Sequence, residues 1–335
     1  MKGPGPAPAA PRRRPRPAPP QYRSGMRHLL RRILSDWQLV TGGALLLFFV
    51  SVALGATAAL GNGITSLNEN FDYAISLSPP GPSLAHPFGI LNGIGIDVMV
   101  GLVQATPIDL LLVGGTILCA VAIGVLLGSY GGYSRGLGDW LVTTTSDIVV
   151  GVPPFFFVLV LFLGIQPFVP ADWALASFGL LFAAVLWPYY ARPVRARAKL
   201  VSQAPYVEAA RAAGAGDRQL LVRHVIPNSF YPVLAQVPVD VYNIFFVLTV
   251  FQFLGCFGGG AKGFFLTLTP LPGPSFPEWG YLLALGACYG WSILPGLNHW
   301  WMYTFPALTI LLFGIAVTLT CDGIERLIRP FRAGV

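Results

Sequence analysis

Fourteen acidic side chains, four histidines and four cysteines are the groups from which chemistry could be built in this 335-residue chain. Asp109, Asp147, Asp240 and Asp322 lie in or at the ends of long apolar runs, where carboxyl groups could relay protons. Three of them fall near the ends of those runs, where solvation or helix capping accounts for a carboxylate. Asp240 alone sits well inside one, with Asn243 as a polar group within reach. Cys119, Cys256, Cys288 and Cys321 form no CxxC and no Cys/His cluster at zinc-ligand spacing, so no metal site is indicated. His28, His86, His224 and His299 are scattered, and neither an HExxH helix nor a GxSxG nucleophile turn is present. Gly258-Gly259-Gly260-Ala261-Lys262-Gly263 comes nearest to a phosphate loop, but lacks the GxxxxGK[ST] spacing and the following Ser or Thr. Neither catalysis nor ATP binding within this chain has the residues it needs.

One polar segment carries more specific information. Residues 193–231 contain VRARAKLVSQAPYVEAARAAGAGDRQLLVRHVIPNSF, the only long polar stretch apart from the N-terminal tail. Tyr206 to Ala213 is an Ala-rich helix former, and Gly214 and Gly216 break it. Asp217 is placed to cap a second helix that runs through His224, and Pro227 is placed to end it. Two short helices meeting at a glycine make a compact knob. Ala209, Ala210 and Ala213 give its first helix a small-residue face that another protein could approach closely, and Glu208 puts a negative charge near that helix's start. An amphipathic loop lying on lipid headgroups would share the helical pattern, but would not require this spacing of glycine and proline.

The elements that hold this segment are set by composition. The chain is 54% hydrophobic and 10% charged, too few charges to cover the surface of a water-soluble body of this size. Six stretches are long and apolar enough to span a bilayer, at about Leu39–Leu60, Ile108–Tyr130, Ile148–Phe168, Trp173–Tyr190, Pro232–Leu254 and Trp301–Leu319. A seventh, Trp279–Leu294, is shorter and glycine-bearing, and is expected to dip into the membrane without crossing it. The net charge of +7 could indicate nucleic acid, but its distribution argues for a membrane. With six crossings and the N-terminus inside, 20 of the 21 Lys and Arg fall on the cytoplasmic side and only Lys262 outside, which places both termini in the cytoplasm. Residues 1–28 form a Pro- and Arg-rich tail without hydrophobic period, expected to be disordered and attracted to anionic lipid, and residues 29–335 form the membrane domain. Residues 61–107 and 255–300 read as long outer loops. Cys256 and Cys288 share that side, where a disulfide is allowed, although small buried thiols are the simpler expectation.

Glu208-Ala209-Ala210, Gly214 four residues after Ala210, and Ile226-Pro227 resemble the EAA loop of ABC-importer permeases, with His224 where that pattern has its first hydrophobic residue and Ile226 in place of Leu. Arg223-His224-Val225-Ile226-Pro227-Asn228, Gln236, Asp240 and Phe253-Leu254-Gly255 are similar to the fifth-span region of the dipeptide/oligopeptide/nickel importer permeases. His86-Pro87-Phe88-Gly89, Pro277-Glu278-Trp279-Gly280, and the ending from Trp300-Trp301 through Phe305-Pro306 to Asp322-Gly323 resemble the C-type partner of the permease pair. Departures include Ile90-Leu91, Gly95-Ile96-Asp97, Thr144 in place of an Arg and Leu248 in place of a Glu.

The resemblance implies an all-α polytopic fold of the type I ABC importer permeases, with six transmembrane helices and cytoplasmic coupling helices. It also implies residence in the cytoplasmic membrane and half of a pore shared with a second permease. Two cytoplasmic ATPase subunits would bind ATP and Mg, and an extracytoplasmic substrate-binding protein would deliver cargo, with peptides as the expected class. Glu208, Ala209, Ala210, Gly214, Asp217, His224, Ile226 and Pro227 become the expected ATPase-coupling residues, and Asp240 and Asn243 an intramembrane polar site. The alternative from another class is a proton-coupled secondary transporter, for which one internal acid without a basic partner in its span is a thin pathway.

Overall fold

The computed structural model describes residues 33–60, 81–91, 96–134, 136–165, 168–170, 173–257, 278–290 and 299–328. The basic tail, Lys262, the glycine run 258–263 and the last arginines lie outside the described residues.

The described chain is mostly helical, with one antiparallel pair of two-residue strands. In order, it comprises α1 (Trp37–Leu60), β1 (Ile90–Leu91), β2 (Ile96–Asp97), α2 (Val98–Tyr133), α3 (Leu137–Val150), α4 (Pro154–Ile165), α5 (Ala174–Ser202), α6 (Pro205–Ala212), α7 (Asp217–Leu220), a π-helical turn (Leu221–Val225), α8 (Ile226–Ser229), α9 (Val233–Phe257), α10 (Trp279–Gly290) and α11 (Trp301–Ile328). The two strands pair antiparallel, Ile90 opposite Asp97 and Leu91 opposite Ile96. Helices α1, α2, α9 and α11 are each long and apolar enough to cross a membrane, and α3 with α4 makes a fifth candidate if the bent pair is one span. α5 is 29 residues long, with its basic residues confined to its second half.

Three expectations about the spans are corrected. The second span begins ten residues earlier than its hydropathy indicated. Asp97 caps α2, its Oδ1 accepting from the N–H groups of Met99 (2.8 Å) and Val100 (3.2 Å), and the helix continues through Pro107. Residues 98–107, assigned from the sequence to an outer loop, therefore belong to this helix. The third stretch is not straight: α3 and α4 meet at 88° across Gly151–Pro153, and Pro154 starts the new helix, where its missing N–H costs nothing. Asp109, read from sequence as lying near an interface, is in fact 1% exposed inside the bundle because α2 starts so far upstream.

The bundle is held by two kinds of contact. Aromatic rings fill its middle: Trp279, the first residue of α10, is fully buried with ring centroids 5.5 Å from Phe245 of α9, 5.5 Å from Phe49 of α1 and 5.6 Å from Phe313 of α11. α10 therefore enters the bundle as a plug, anchored also by its indole N–H, which donates to the Leu102 carbonyl at 3.1 Å. Cys288 near the far end of α10 is disulfide-bonded, where a free thiol was the simpler expectation, while Cys119 and Cys321 are free.

The second contact is the seam between α2 and α5, the most extensive helix pairing among the described residues. Gly124, Gly128 and Gly132 recur every fourth residue along α2 and present bare backbone to α5. A Cβ on Gly128 would lie 2.5 Å from the Ala191 carbonyl oxygen, and one on Gly132 would lie 2.5 Å from that of Arg195. Both neighbours are backbone atoms and cannot rotate away.

Gly128→Ala is expected to cost about 2 kcal/mol or more through overpacking, whereas Gly115→Ala on the same helix, with nothing within 4 Å of its Cβ, stays near neutral. Thermal unfolding of the two variants in detergent checks this; equal melting temperatures would refute the seam.

Candidate functional site

The polar segment read from sequence as a loop starts later than its charge pattern suggested. α5 continues to Ser202 and carries Arg192, Arg195, Arg197 and Lys199 on an ordered helix. Asp139 of α3 receives two of them, Arg195 Nε at 2.5 Å and Lys199 Nζ at 2.8 Å, and Asp147 receives Arg192 at 2.6 Å. The Asp147 pair is solvent-exposed and contributes at most about 1 kcal/mol. Arg197 lies over the ring of Tyr231, with its guanidinium carbon 5.4 Å from the centroid.

Beyond α5 the chain folds back into a small body with its own core. Ala198 and Val201 of α5, Ala204, Val207 of α6, Leu220 of α7 and Val225 of the π turn are buried together. Ala210, Ala215 and Leu221 pack at the edge with Tyr133 and Tyr206. Leu220 is fully buried and by itself contributes about 2 kcal/mol of burial free energy.

The end of α6 is a Schellman motif. Ala215 N–H donates to the Ala210 carbonyl at 3.1 Å and Gly214 N–H to that of Arg211 at 3.0 Å. That geometry puts Gly214 at φ +93°, which L side chains rarely adopt. Nothing lies within 4 Å of where its Cβ would be, so within this chain the glycine is required by backbone conformation and not by crowding. Ala209, Ala212, Ala213, Gly214 and Gly216 are all exposed around this turn, a patch of small residues flanked by the exposed Glu208, Arg211, Asp217 and Arg218. Glu208 is exposed in the first turn of α6, suited to stabilise that helix end, and Ala210 is turned inward to the small core.

Two details of the second half differ from the sequence reading. Gly216, not Asp217, is the N-cap of α7, and it supplies no side-chain bond. Asp217 instead accepts a hydrogen bond from the Tyr133 hydroxyl at the end of α2, and Arg211 Nη2 approaches the same hydroxyl at 3.3 Å with its guanidinium over the ring. Pro227 does not end the second helix but sits in the first turn of α8. The chain passes from α7 to α8 through the π turn, with the Ile226 N–H reaching back to the Leu221 carbonyl. A widened turn accommodates a proline that has no N–H and would crowd the preceding turn of an α-helix. His224 is half-buried with its ring centroid 6.3 Å from that of Tyr206, and its carbonyl accepts from Asn228 Nδ2 at 2.7 Å. Ile226 is half-buried and packs against the main bundle core, so the knob grades into the membrane domain.

Asp240 and Asn243 are on α9, away from this body. Asp240 is fully buried, and Gln236 Nε2 donates to its Oδ1 at 3.0 Å. Asn243 and the Tyr190 hydroxyl of α5 complete its polar surroundings, although its Oδ2 has no partner at full hydrogen-bond geometry. Tyr190 is the neighbour that one-dimensional reading missed, since it is 50 residues away and in another helix.

Residues 120–330 match the family described as binding-protein-dependent transport system inner membrane component. The chain belongs to that family. It is 30% identical over 269 residues, 78% of each chain, to a probable D,D-dipeptide transport system permease protein of Escherichia coli. It is 26% identical over 308 residues, 92% of each chain, to a glutathione transport system permease protein of Pectobacterium atrosepticum. A dipeptide transport system permease protein of Haemophilus influenzae is 27% identical over 287 residues, 85% of this chain and 88% of that one. The chain is thus a multi-pass membrane permease subunit of an ABC importer, a system that works with ATPase and substrate-binding partners.

Tyr133→Phe removes the hydroxyl shared by Asp217 and Arg211 and is expected to loosen the knob by about 1 kcal/mol. Amide hydrogen exchange across residues 217–225 should then speed up roughly fivefold. Unchanged protection would show that this bond does not fasten the knob.

Proposed function

We propose that this permease imports short peptides, forming half of a pore with a second permease and taking its power from two cytoplasmic ATPase subunits. An extracytoplasmic binding protein presents the peptide. The peptide class rests on the relatives, whose names specify D,D-dipeptide, glutathione and dipeptide transport. ATP and Mg are bound by the ATPases. Both termini of this chain and residues 205–229 face the cytoplasm, an orientation supported by the 20 basic residues that then fall inside.

The observation that carries the coupling role is the exposed turn at Gly214, where Ala212, Ala213, Gly214 and Gly216 carry small side chains or none, at the end of a short helix whose core is shared with the last turns of α5. Such a turn lets a partner's backbone approach closely, as a groove in an ATPase would. Glu208, Ala209 and Gly214 form the contact surface. Ala210, Asp217, His224, Ile226 and Pro227 hold it in shape, through the small core, the Tyr133 bond and the π turn. ATPase closure displaces the knob. Asp139, gripping Arg195 and Lys199, carries that displacement to α3, while the glycine seam carries it to α2. The helices then rock and open the pore alternately to each side. Asp240 serves packing between α9 and α5 through Gln236, Asn243 and Tyr190, so Asp240→Asn should preserve ATP-driven uptake.

Gly214→Val is expected to leave the membrane domain folded and expressed but to weaken ATPase association by about tenfold or more, roughly 1.4 kcal/mol, and to abolish substrate-stimulated hydrolysis. Glu208→Ala weakens association less. Co-purification and ATPase assays of the assembled complex measure both effects. If both variants retained their ATPases and transported normally, the coupling assignment would fall.

A further inference from the structure

At the end of α2 remote from the knob lie two carboxyl groups that have no part in the coupling role. Asp109 is 1% exposed and so is Glu278, the residue preceding α10. Twenty-four residues of helix separate Asp109 from Tyr133, about 36 Å along the axis. Asp109 Oδ2 accepts the backbone N–H of Trp279 at 2.8 Å. Glu278 Oε2 accepts that of Gly280 at 2.7 Å, and its Oε1 accepts from Gln252 Nε2 of α9 at 3.2 Å. Both acids therefore converge on the free N–H groups at the start of α10, where the helix dipole favours negative charge.

One negative charge suits that position, but two do not. Among the described residues no Lys, Arg or His faces the pair. α9 offers Gln252, α2 offers Asp109 and the Leu102 carbonyl, and α1 and α11 offer Phe49 and Phe313 around Trp279. His86, beside the hairpin, is engaged with Asp97 at 2.8 Å. Two buried like charges without a counterion are disfavoured twice, by lost hydration and by mutual repulsion.

The hydrogen-bond inventory has a matching gap. Asp109 Oδ1 and Gln252 Oε1 are both buried acceptors without a donor. Gln252 is 5% exposed, and its amide group is aimed at Glu278 by the bond it already makes. Two acceptors lacking donors beside two acids call for a hydrogen that an ionised pair cannot supply. A carboxylic O–H supplies it.

We propose that Asp109 and Glu278 form a proton-binding site: the two carboxyl groups keep at least one proton between them at neutral pH, and that proton fastens the first turn of α10 to α2 and α9. The Glu278 carboxyl, outside the spanning helices, is pushed by burial from its ordinary 4.5 up to about 7. The folded chain binds the proton more tightly than the unfolded chain, so this stabilisation is complete at low pH and is lost as pH rises from about 4.5 through 7 and above.

The test uses the full chain in detergent, comparing wild type with Asp109→Asn, Glu278→Gln and the double variant. The amide oxygens of Asn and Gln still accept the N–H groups of α10, so the fold is retained. Between pH 5 and pH 9 the melting temperature of the wild type should fall by at least about 4 °C more than that of the double variant. The infrared difference spectrum, wild type minus double variant, should show the carbonyl band of a protonated carboxylic acid at pH 7, because any contribution of the buried Asp240 is common to both proteins and cancels. Parallel melting curves, or no such band, would overturn the proposal. A wild-type melting temperature raised by sodium relative to choline at constant ionic strength, with no rise in the double variant, would also overturn it, since a metal cation would then fill the place given to the proton.

Discussion

The close crossing of α2 and α5 is the contact on which the remaining arrangement depends. Removing every side chain from one face of α2 at Gly124, Gly128 and Gly132 brings that helix against the backbone of α5 between Trp187 and Arg195. Within a bilayer there is little hydrophobic force to drive helices together, so close packing of this kind must supply the attraction. The register of the seam fixes the neighbours of both helices. It lays the basic stretch of α5 alongside Asp139 and Asp147 of α3, and brings Tyr133 under the knob. It also leaves Tyr190 beside Asp240. A shift of one helical turn along this seam would break the ion pairs and the Tyr133 bond together.

From this seam a mechanical path runs in both directions. Toward the cytoplasmic side proposed for the knob, α5 extends until Ser202 and ends in a small hydrophobic core of its own, so the knob is a rigid projection of the bundle. In the other direction, α2 reaches the buried acids and the aromatic cluster around Trp279, where α10 plugs the bundle. A single 36-residue helix thus touches both the knob, proposed above as the coupling surface, and the buried start of α10, which is the geometry a transporter needs if an event at one face is to be felt at the other.

Much of this architecture was legible in the sequence where local rules decide the outcome. Hydropathy located the long helices, and the Ala-rich run broken at Gly214 identified the knob. What was not legible depended on tertiary partners. Asp217 comes after a glycine and precedes a helix, which locally reads as a cap; Tyr133, 84 residues earlier, takes its carboxylate instead. Gly151 and Pro153-Pro154 are a local break signal, but a window averaged over the strongly apolar run from Ile148 to Phe168 passes over them and reads the 88° bend as one straight span. Asp109 read as an end-of-helix carboxylate because Gly101, Gln104 and Pro107 dilute the first three turns of α2, and its companion Glu278 is 169 residues away. The seam itself was not read from the sequence, although glycine stands in every fourth position at 124, 128 and 132. That spacing was the available signal for the seam.

In the proposed assembly this chain forms one half of the pore of an ATP-driven importer and does no transport by itself. The most direct test is uptake of a labelled dipeptide into liposomes carrying the purified assembly, with ATP enclosed and the binding protein added outside. Accumulation should depend on enclosed ATP, on the ATPase subunits and on the binding protein, and should survive collapse of any proton gradient. Accumulation by this chain alone, driven by a proton gradient without ATP, would contradict that claim.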